Sequence, residues 1–165
     1  MHSYSLLSRR AWLGGALAPL LRSQPVQPVP SPRQLRWHQL EFYGFLHFTI
    51  NTFTDKEWGY GDESPSLFAP AAFDADAIVE ALHAAGMKGV ILTCKHHDGF
   101  CLWPTRTTRH SVVSSPWRNG RGDAVKEIAQ AAARKGMGFG VYLSPWDRNH
   151  PDYARAAYVQ TYRAQ

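Results

Sequence analysis

The sequence predicts an α/β protein of the TIM barrel type, in which parallel strands alternate with crossover helices. It holds about the first three units of a (β/α)8 barrel, truncated at the C-terminus. Three observations predict this. Apolar stretches alternate with helical periodicity three times along the chain, which implies parallel strands joined by crossovers. The two longest connections both leave the carboxyl ends of strands, the face on which barrel enzymes carry their sites. No Gly-x-Gly-x-x-Gly turn follows the first strand, so the doubly wound alternative lacks its phosphate-binding loop.

The first strand candidate is the apolar and aromatic stretch Phe42 to Ile50. The first helix is predicted over Asp74 to Ala85, where Ile78, Ala81, Leu82 and Ala85 recur at i, i+3, i+4 and i+7. Asp74 is its expected N-cap and Gly86 its stop. Gly89 to Lys95 is a short, mostly apolar run that suits a strand buried on both faces. Ala124 to Lys135 repeats the helical spacing with Val125, Ile128, Ala129 and Ala132, between a capping Asp123 and a closing Gly136. Met137 to Ser144 is the third strand, and Tyr153 to Ala164 begins a third helix. Three units leave the sheet open, so residues 33–165 read as the N-terminal part of a catalytic barrel. The connections Asn51 to Phe73 and Asp98 to Gly122 exceed ordinary βα loops.

Residues 1–32 read differently. Ser8-Arg9-Arg10-Ala11-Trp12-Leu13 resembles a twin-arginine export motif, and Ala11 to Leu21 is uncharged but too short to span a bilayer. A Pro- and Gln-rich linker follows from Gln24 to Pro32. These features predict an exported protein, periplasmic or extracellular, with no stable membrane anchor. The net charge is +5, of which Arg9, Arg10 and Arg22 supply three, leaving +2 for the rest. The remaining Lys and Arg are scattered, so nucleic acid is not an expected partner. The only cysteines, Cys94 and Cys101, make no disulfide framework and no zinc spacing. A bridge between them is the alternative to the favoured reading of two small buried thiols.

The chemistry concentrates in Leu92-Thr93-Cys94-Lys95-His96-His97-Asp98-Gly99-Phe100-Cys101-Leu102-Trp103, a strand that runs into histidines and then aromatics. Neutral imidazoles donate one hydrogen bond and accept another, which suits sugar hydroxyls. Aromatic rings cover the apolar faces of sugars. His96 and His97 read as hydroxyl binders, as metal ligands or as structural histidines. The metal reading is the weakest, since adjacent strand residues face opposite ways and no HExxH is present. His47 closes the first strand on the face of Tyr43 and Phe45, at a pocket rim or in a structural role. Glu57 and Trp58 sit in the first long loop, as a hydroxyl partner and an apolar wall or as solvated residues. Tyr142 ends the third strand on the otherwise open face of Gly138 and Gly140, for substrate or for core. Lys95 either pairs with a buried carboxylate or points outward. Glu57, Asp98 and Asp147 are the candidate catalytic carboxylates, and none has a context that compels the role.

The stretches HFTINTFTDKEW (His47 to Trp58), LTCKHHDGFCLWP (Leu92 to Pro104) and GVYLSPWDRNHPDY (Gly140 to Tyr153) closely resemble the α-L-fucosidases of glycoside hydrolase family 29. The similarity covers roughly Trp37 to Gln165. The resemblance implies a (β/α)8 catalytic domain, usually followed by a β-sandwich. It implies exo-hydrolysis of terminal α-L-fucose from glycoconjugates, with net retention and without metal or other cofactor. It assigns His47, His96 and His97 to fucose hydroxyls, Glu57 and Trp58 to the pocket wall, and Tyr142 to the third-strand tyrosine of the site. The nucleophilic aspartate and the acid/base carboxylate of the family are expected beyond Gln165, so no catalytic residue is assigned here and the chain alone is expected to be inactive. Thr49 stands where glycine is expected, crowding the backbone near His47. The alternatives are a barrel glycosidase of other specificity and a non-catalytic sugar-binding barrel. A metal-dependent hydrolase ranks behind both.

Overall fold

The computed structural model describes residues 28–165. The described residues divide into two units, 28–35 and 36–165. The export-signal reading falls on residues 1–27 and so lies outside the described residues. In the first unit, Ser31 N donates to Gln34 Oε1 at 2.7 Å and Gln34 N donates back to Ser31 Oγ at 3.4 Å. This reciprocal cap starts α1 (Pro32–His38), an element the sequence reading missed by ending a linker at Pro32. Proline is favoured there because the first helical N–H needs no partner.

The second unit is an α/β fold. Its sheet has three parallel strands in the order β1 (Gly44–Leu46), β2 (Gly89–Lys95) and β3 (Gly138–Leu143). Two helices, α2 (Ala75–Ala84) and α3 (Ala124–Arg134), form the crossovers. They pack on each other, and α3 packs on β2 and β3. The predicted caps are in place. Asp74 accepts from Ala77 N at 2.9 Å and Asp123 from Lys126 N at 2.8 Å. Gly86 and Gly136 follow the helices at φ +85° and +66°, the left-handed backbone that ends a helix cheaply only at glycine. On α2 the buried stripe is shifted from the predicted one. Ala75 and Val79 are buried with Ile78 and Leu82 packed beside them, while Ala81 and Ala85 are exposed.

Strand register sorts the side chains into two faces. Val90, Leu92 and Cys94 point to the helices and are buried with Ile128, Ala131 and Ala132. Each large aliphatic side chain there contributes roughly 1.5–3 kcal/mol by leaving water. Phe45, Ile91 and Gly140 lie abreast on the other face. The β2–β3 register shifts between Thr93 and Lys95, a bulge just before the histidines.

Strand one is shorter than expected. Phe42 to Ile50 contributes only Gly44–Leu46, because Thr49 caps a 3₁₀ turn over Ile50–Phe53 instead of continuing the ladder. Its Oγ1 accepts from Asn51 N at 3.0 Å, and Thr52 Oγ1 accepts from Thr49 N at 3.2 Å. Thr49 is therefore a cap at φ −143°, not a crowded glycine substitute. The third helix, α4, also starts later than predicted, at Ala156–Ala164, after a turn in which Ala154 has φ +70°.

The two long connections add a cluster of rings to this same core. Phe48, Phe68, Phe73, Phe100 and Trp117 meet edge to face, tilted or stacked, with ring centroids 5.1 to 5.6 Å apart. Phe68, Phe100 and Trp117 are buried. Cys94 and Cys101 are free, buried thiols, each pushed up to about 12 first by burial. Among the described residues no helix is long and apolar enough to cross a membrane.

Candidate active site

The carboxyl ends of β1, β2 and β3 converge on one cluster of rings. His47, one residue past β1, packs on Phe45 at 4.3 Å between centroids and faces His96 at 5.7 Å. His96 and His97 lie beyond the end of β2, where the chain turns. Their rings therefore stand on the same side, 4.2 Å apart and tilted by 32°. Tyr142, from β3, is 6.3 Å from His96 and 5.5 Å from Phe45. Trp58 reaches in from the first long loop, 5.9 Å from His97. Five of the six residues singled out in the sequence are thus brought together. Glu57 is not among them: it is exposed and forms no ion pair with another described residue.

Trp146 is the residue that sequence reasoning passed over. It lies 4.9 Å from His97 and 6.0 Å from Trp58, completing an aromatic wall. The available signal was its place two residues after Ser144, at the end of a strand. The Arg148 guanidinium lies over the Trp146 ring, 5.3 Å from its centroid. It also donates to Gly59 O at 2.6 Å, while Asn149 Nδ2 donates to Gly61 O at 2.8 Å. The loop after β3 is thereby fastened to the Trp58 loop.

Two of the three candidate carboxylates are internal. Asp98, fully buried, accepts from Phe100 N at 2.7 Å and from Asn51 Nδ2 at 2.8 Å. Burial raises its pKa to about 6. Asp147 pairs with Lys95 at 3.1 Å, and both side chains are almost wholly shielded. Lys95 Nζ also donates to Tyr158 OH at 2.7 Å and Gln165 Oε1 at 2.6 Å, which uses all three of its protons. Asp147 Oδ1 accepts from His150 N at 2.9 Å and Asn149 N at 3.2 Å. Lys95 is thus the buried partner of a carboxylate. Asp98 and Asp147 shape the turns that carry the rings, and neither opens to a ligand.

Burial favours the uncharged form of His96 and His97. Burial first, then the neighbouring His97 and His47, lowers His96 to about 4. Burial, Arg148 and His47 lower His97 as well. Nδ1 of His96 is buried without a hydrogen-bond partner. Uncharged imidazoles beside indole and phenol rings can hold a neutral polyol: the nitrogens take hydroxyls and the rings take C–H faces. Among the described residues, no three or more His, Cys, Asp or Glu are arranged to hold a metal ion. An apolar hollow of ≈ 250 Å³ lies elsewhere, lined by Cys94, Trp103, Val125, Val141, Leu143 and Gln165. It offers no polar group suited to this chemistry except an amide.

Residues 30–165 match the family model described as alpha-L-fucosidase. Alpha-L-fucosidase 1 of Arabidopsis thaliana is 50% identical over 142 residues, which is 86% of this chain and 28% of that protein. Tissue alpha-L-fucosidase of Mus musculus is 35% identical over 100 residues, 58% of this chain and 21% of that protein. A glycoside hydrolase 29 family member from an unknown rumen bacterium superposes with a TM-score of 0.82 at 53% identity, over 84% of this chain and 25% of that one. A Ruminococcus gnavus GH29 fucosidase, solved in complex with fucose, gives 0.70 at 43% identity over 76% and 26%. The chain spans less than a third of the length of the curated relatives it matches.

Proposed function

This chain belongs to the α-L-fucosidase family, glycoside hydrolase family 29, and from that premise we propose that its ring cluster is part of a pocket for terminal α-L-fucose. The whole protein would be a retaining exo-glycosidase acting on fucosylated oligosaccharides or glycoconjugates, exported to the periplasm or beyond. Residues 33–165 would form the opening part of a (β/α)8 barrel. The observation that carries this is the meeting of His47, His96, His97, Trp58 and Tyr142, which arrive from three successive strand ends and one loop.

Each group has a use in that pocket. The imidazoles of His47, His96 and His97 exchange hydrogen bonds with the ring hydroxyls. Trp58, nearly half exposed, offers a flat apolar surface suited to the C6 methyl that separates fucose from most hexoses. Tyr142 supplies a phenol at the rim. Retaining hydrolysis needs two carboxyl groups flanking the bond, one attacking and one protonating the leaving oxygen. Asp98 and Asp147 are occupied inside the fold, and the family resemblance assigns both roles to carboxylates beyond Gln165. The 165 residues alone are therefore expected to bind fucose weakly and not to turn over an aryl α-L-fucoside.

Titration of the chain with L-fucose, watched by indole fluorescence, tests this. Saturable binding that weakens in His47→Ala and Trp58→Ala, and that L-galactose does not match, is the expected result. Equal binding of both sugars would overturn the fucose reading, since they differ by the hydroxyl on C6. Turnover of the aryl fucoside would overturn the claim of inactivity.

A further inference from the structure

Ser144, just past the end of β3, has no exposed surface. A serine hydroxyl has one proton to give and two lone pairs to offer. Three contacts fill that inventory here. Oγ donates to Trp146 O at 2.8 Å and accepts from Trp146 N at 3.1 Å. The third contact is His97 Nδ1, at 2.8 Å. With the single proton committed to the Trp146 carbonyl, the oxygen meets His97 with a lone pair, and His97 must be the donor from Nδ1. A neutral imidazole protonated at Nδ1 carries a lone pair on Nε2. Nε2 of His97 has no hydrogen-bond partner among the described residues, and it is not among the buried unpaired atoms.

We propose that Ser144 is a positioning residue that fixes His97 as its Nδ1–H tautomer, so that the pocket presents a hydrogen-bond acceptor at His97 Nε2. A ligand group meeting this nitrogen must donate. A free hydroxyl does so, whereas a methoxy group or a fluorine in its place cannot and leaves the nitrogen unpaired. The same Ser144 contacts turn the chain toward Trp146, so one hydroxyl sets both the tautomer of His97 and the start of the loop that carries its aromatic neighbour. The consequence for the ligand rests on the fucose-site reading above; the tautomer itself does not.

The test separates the two. The chain is labelled with 15N-histidine and studied in mildly alkaline buffer, where imidazoles are neutral. Long-range 15N–1H correlations report which ring nitrogen bears the proton, and the spectrum that vanishes in His97→Asn belongs to His97. The expected wild-type pattern is Nδ1–H. Ser144→Ala should release His97 toward the Nε2–H form that free histidine side chains prefer, and Ser144→Thr, which keeps the hydroxyl, should hold Nδ1–H. Binding of L-fucose should weaken about threefold to tenfold in Ser144→Ala, the usual worth of one neutral hydrogen bond. A wild-type His97 protonated at Nε2 overturns the proposal whatever the sugar affinity, and so does an unchanged tautomer in Ser144→Ala. The Nδ1–H pattern without any fucose binding upholds the role of Ser144 and removes the fucose reading instead.

Discussion

Replacing Lys95 by Met should destabilise the chain by about 3–5 kcal/mol, the usual cost of removing one partner from a buried ion pair. The structure gives reasons to expect the full amount. The Lys95 side chain is 0% exposed and that of Asp147 4%, so water cannot solvate the carboxylate left behind. Methionine refills most of the volume but cannot donate. Asp147 Oδ2 would keep only the hydrogen bond from Tyr158 at 3.1 Å, and the acceptors on Tyr158 and Gln165 would lose their donor. The ammonium also stands 5.3 Å from the Tyr158 ring and 5.4 Å from the Tyr162 ring, so its contacts to α4 are lost together. Domains of this size are typically stable by about 5–15 kcal/mol, which makes the loss large. Urea unfolding of wild type, Lys95→Met, Asp147→Asn and the double variant, followed by tryptophan fluorescence, measures the coupling. The double variant should regain about half of the single Lys95→Met loss, because Asp147→Asn removes the unpaired charge while keeping an oxygen for the backbone N–H groups of Asn149 and His150. A Lys95→Met midpoint equal to that of wild type, or fully additive losses, would refute the claim that the pair acts as one unit.

Two further outcomes are expected. Gly99 sits at φ +85°, and a Cβ there would come within 2.2 Å of Asp147 Oδ1. Gly99→Ala should therefore cost about 2–4 kcal/mol, more than left-handed backbone strain alone, and an unchanged unfolding midpoint would contradict the packing described. Stability should also fall as pH drops from about 7 to 5, because buried His96 and His110 and half-buried His97 have lowered pKa values and the unfolded chain takes their protons first. Asp98 opposes this: its raised pKa lets the folded state bind a proton first, from about 6 downward. Thermal melts across that range should show a steeper fall in Asp98→Asn and a shallower one in His96→Asn, and parallel curves would refute the assignment.

Much of the frame was legible because its signals are local. Helix caps read from Asp74 and Asp123 act across three residues, and the β2 run announces a strand by composition alone. Strand one was overread because an aromatic stretch looks extended whether or not it pairs. What ends it is a Thr49 hydroxyl turning back on its own backbone. The His97–Ser144 and Lys95–Asp147 contacts span 47 and 52 residues, so periodicity carries no trace of them. That is why Lys95 stayed ambiguous and Ser144 and Trp146 went unremarked. Glu57 is the one motif residue that the described contacts leave outside the ring cluster, exposed to solvent.

The aromatic knot of Phe48, Phe68, Phe73, Phe100 and Trp117 bears on how such a protein can change. Phe68 and Phe73 come from the first long connection and Phe100 and Trp117 from the second, so neither loop is a free appendage that can be lengthened, trimmed or exchanged by itself. A graft of either loop from another protein would have to bring matching rings or leave a hole in a shared interior. Tolerance to exchange is thereby confined to side chains at the solvent edge, such as Trp58 and Tyr60. New ligand preference in this scaffold is most accessible there, by single replacements on an unmoving backbone.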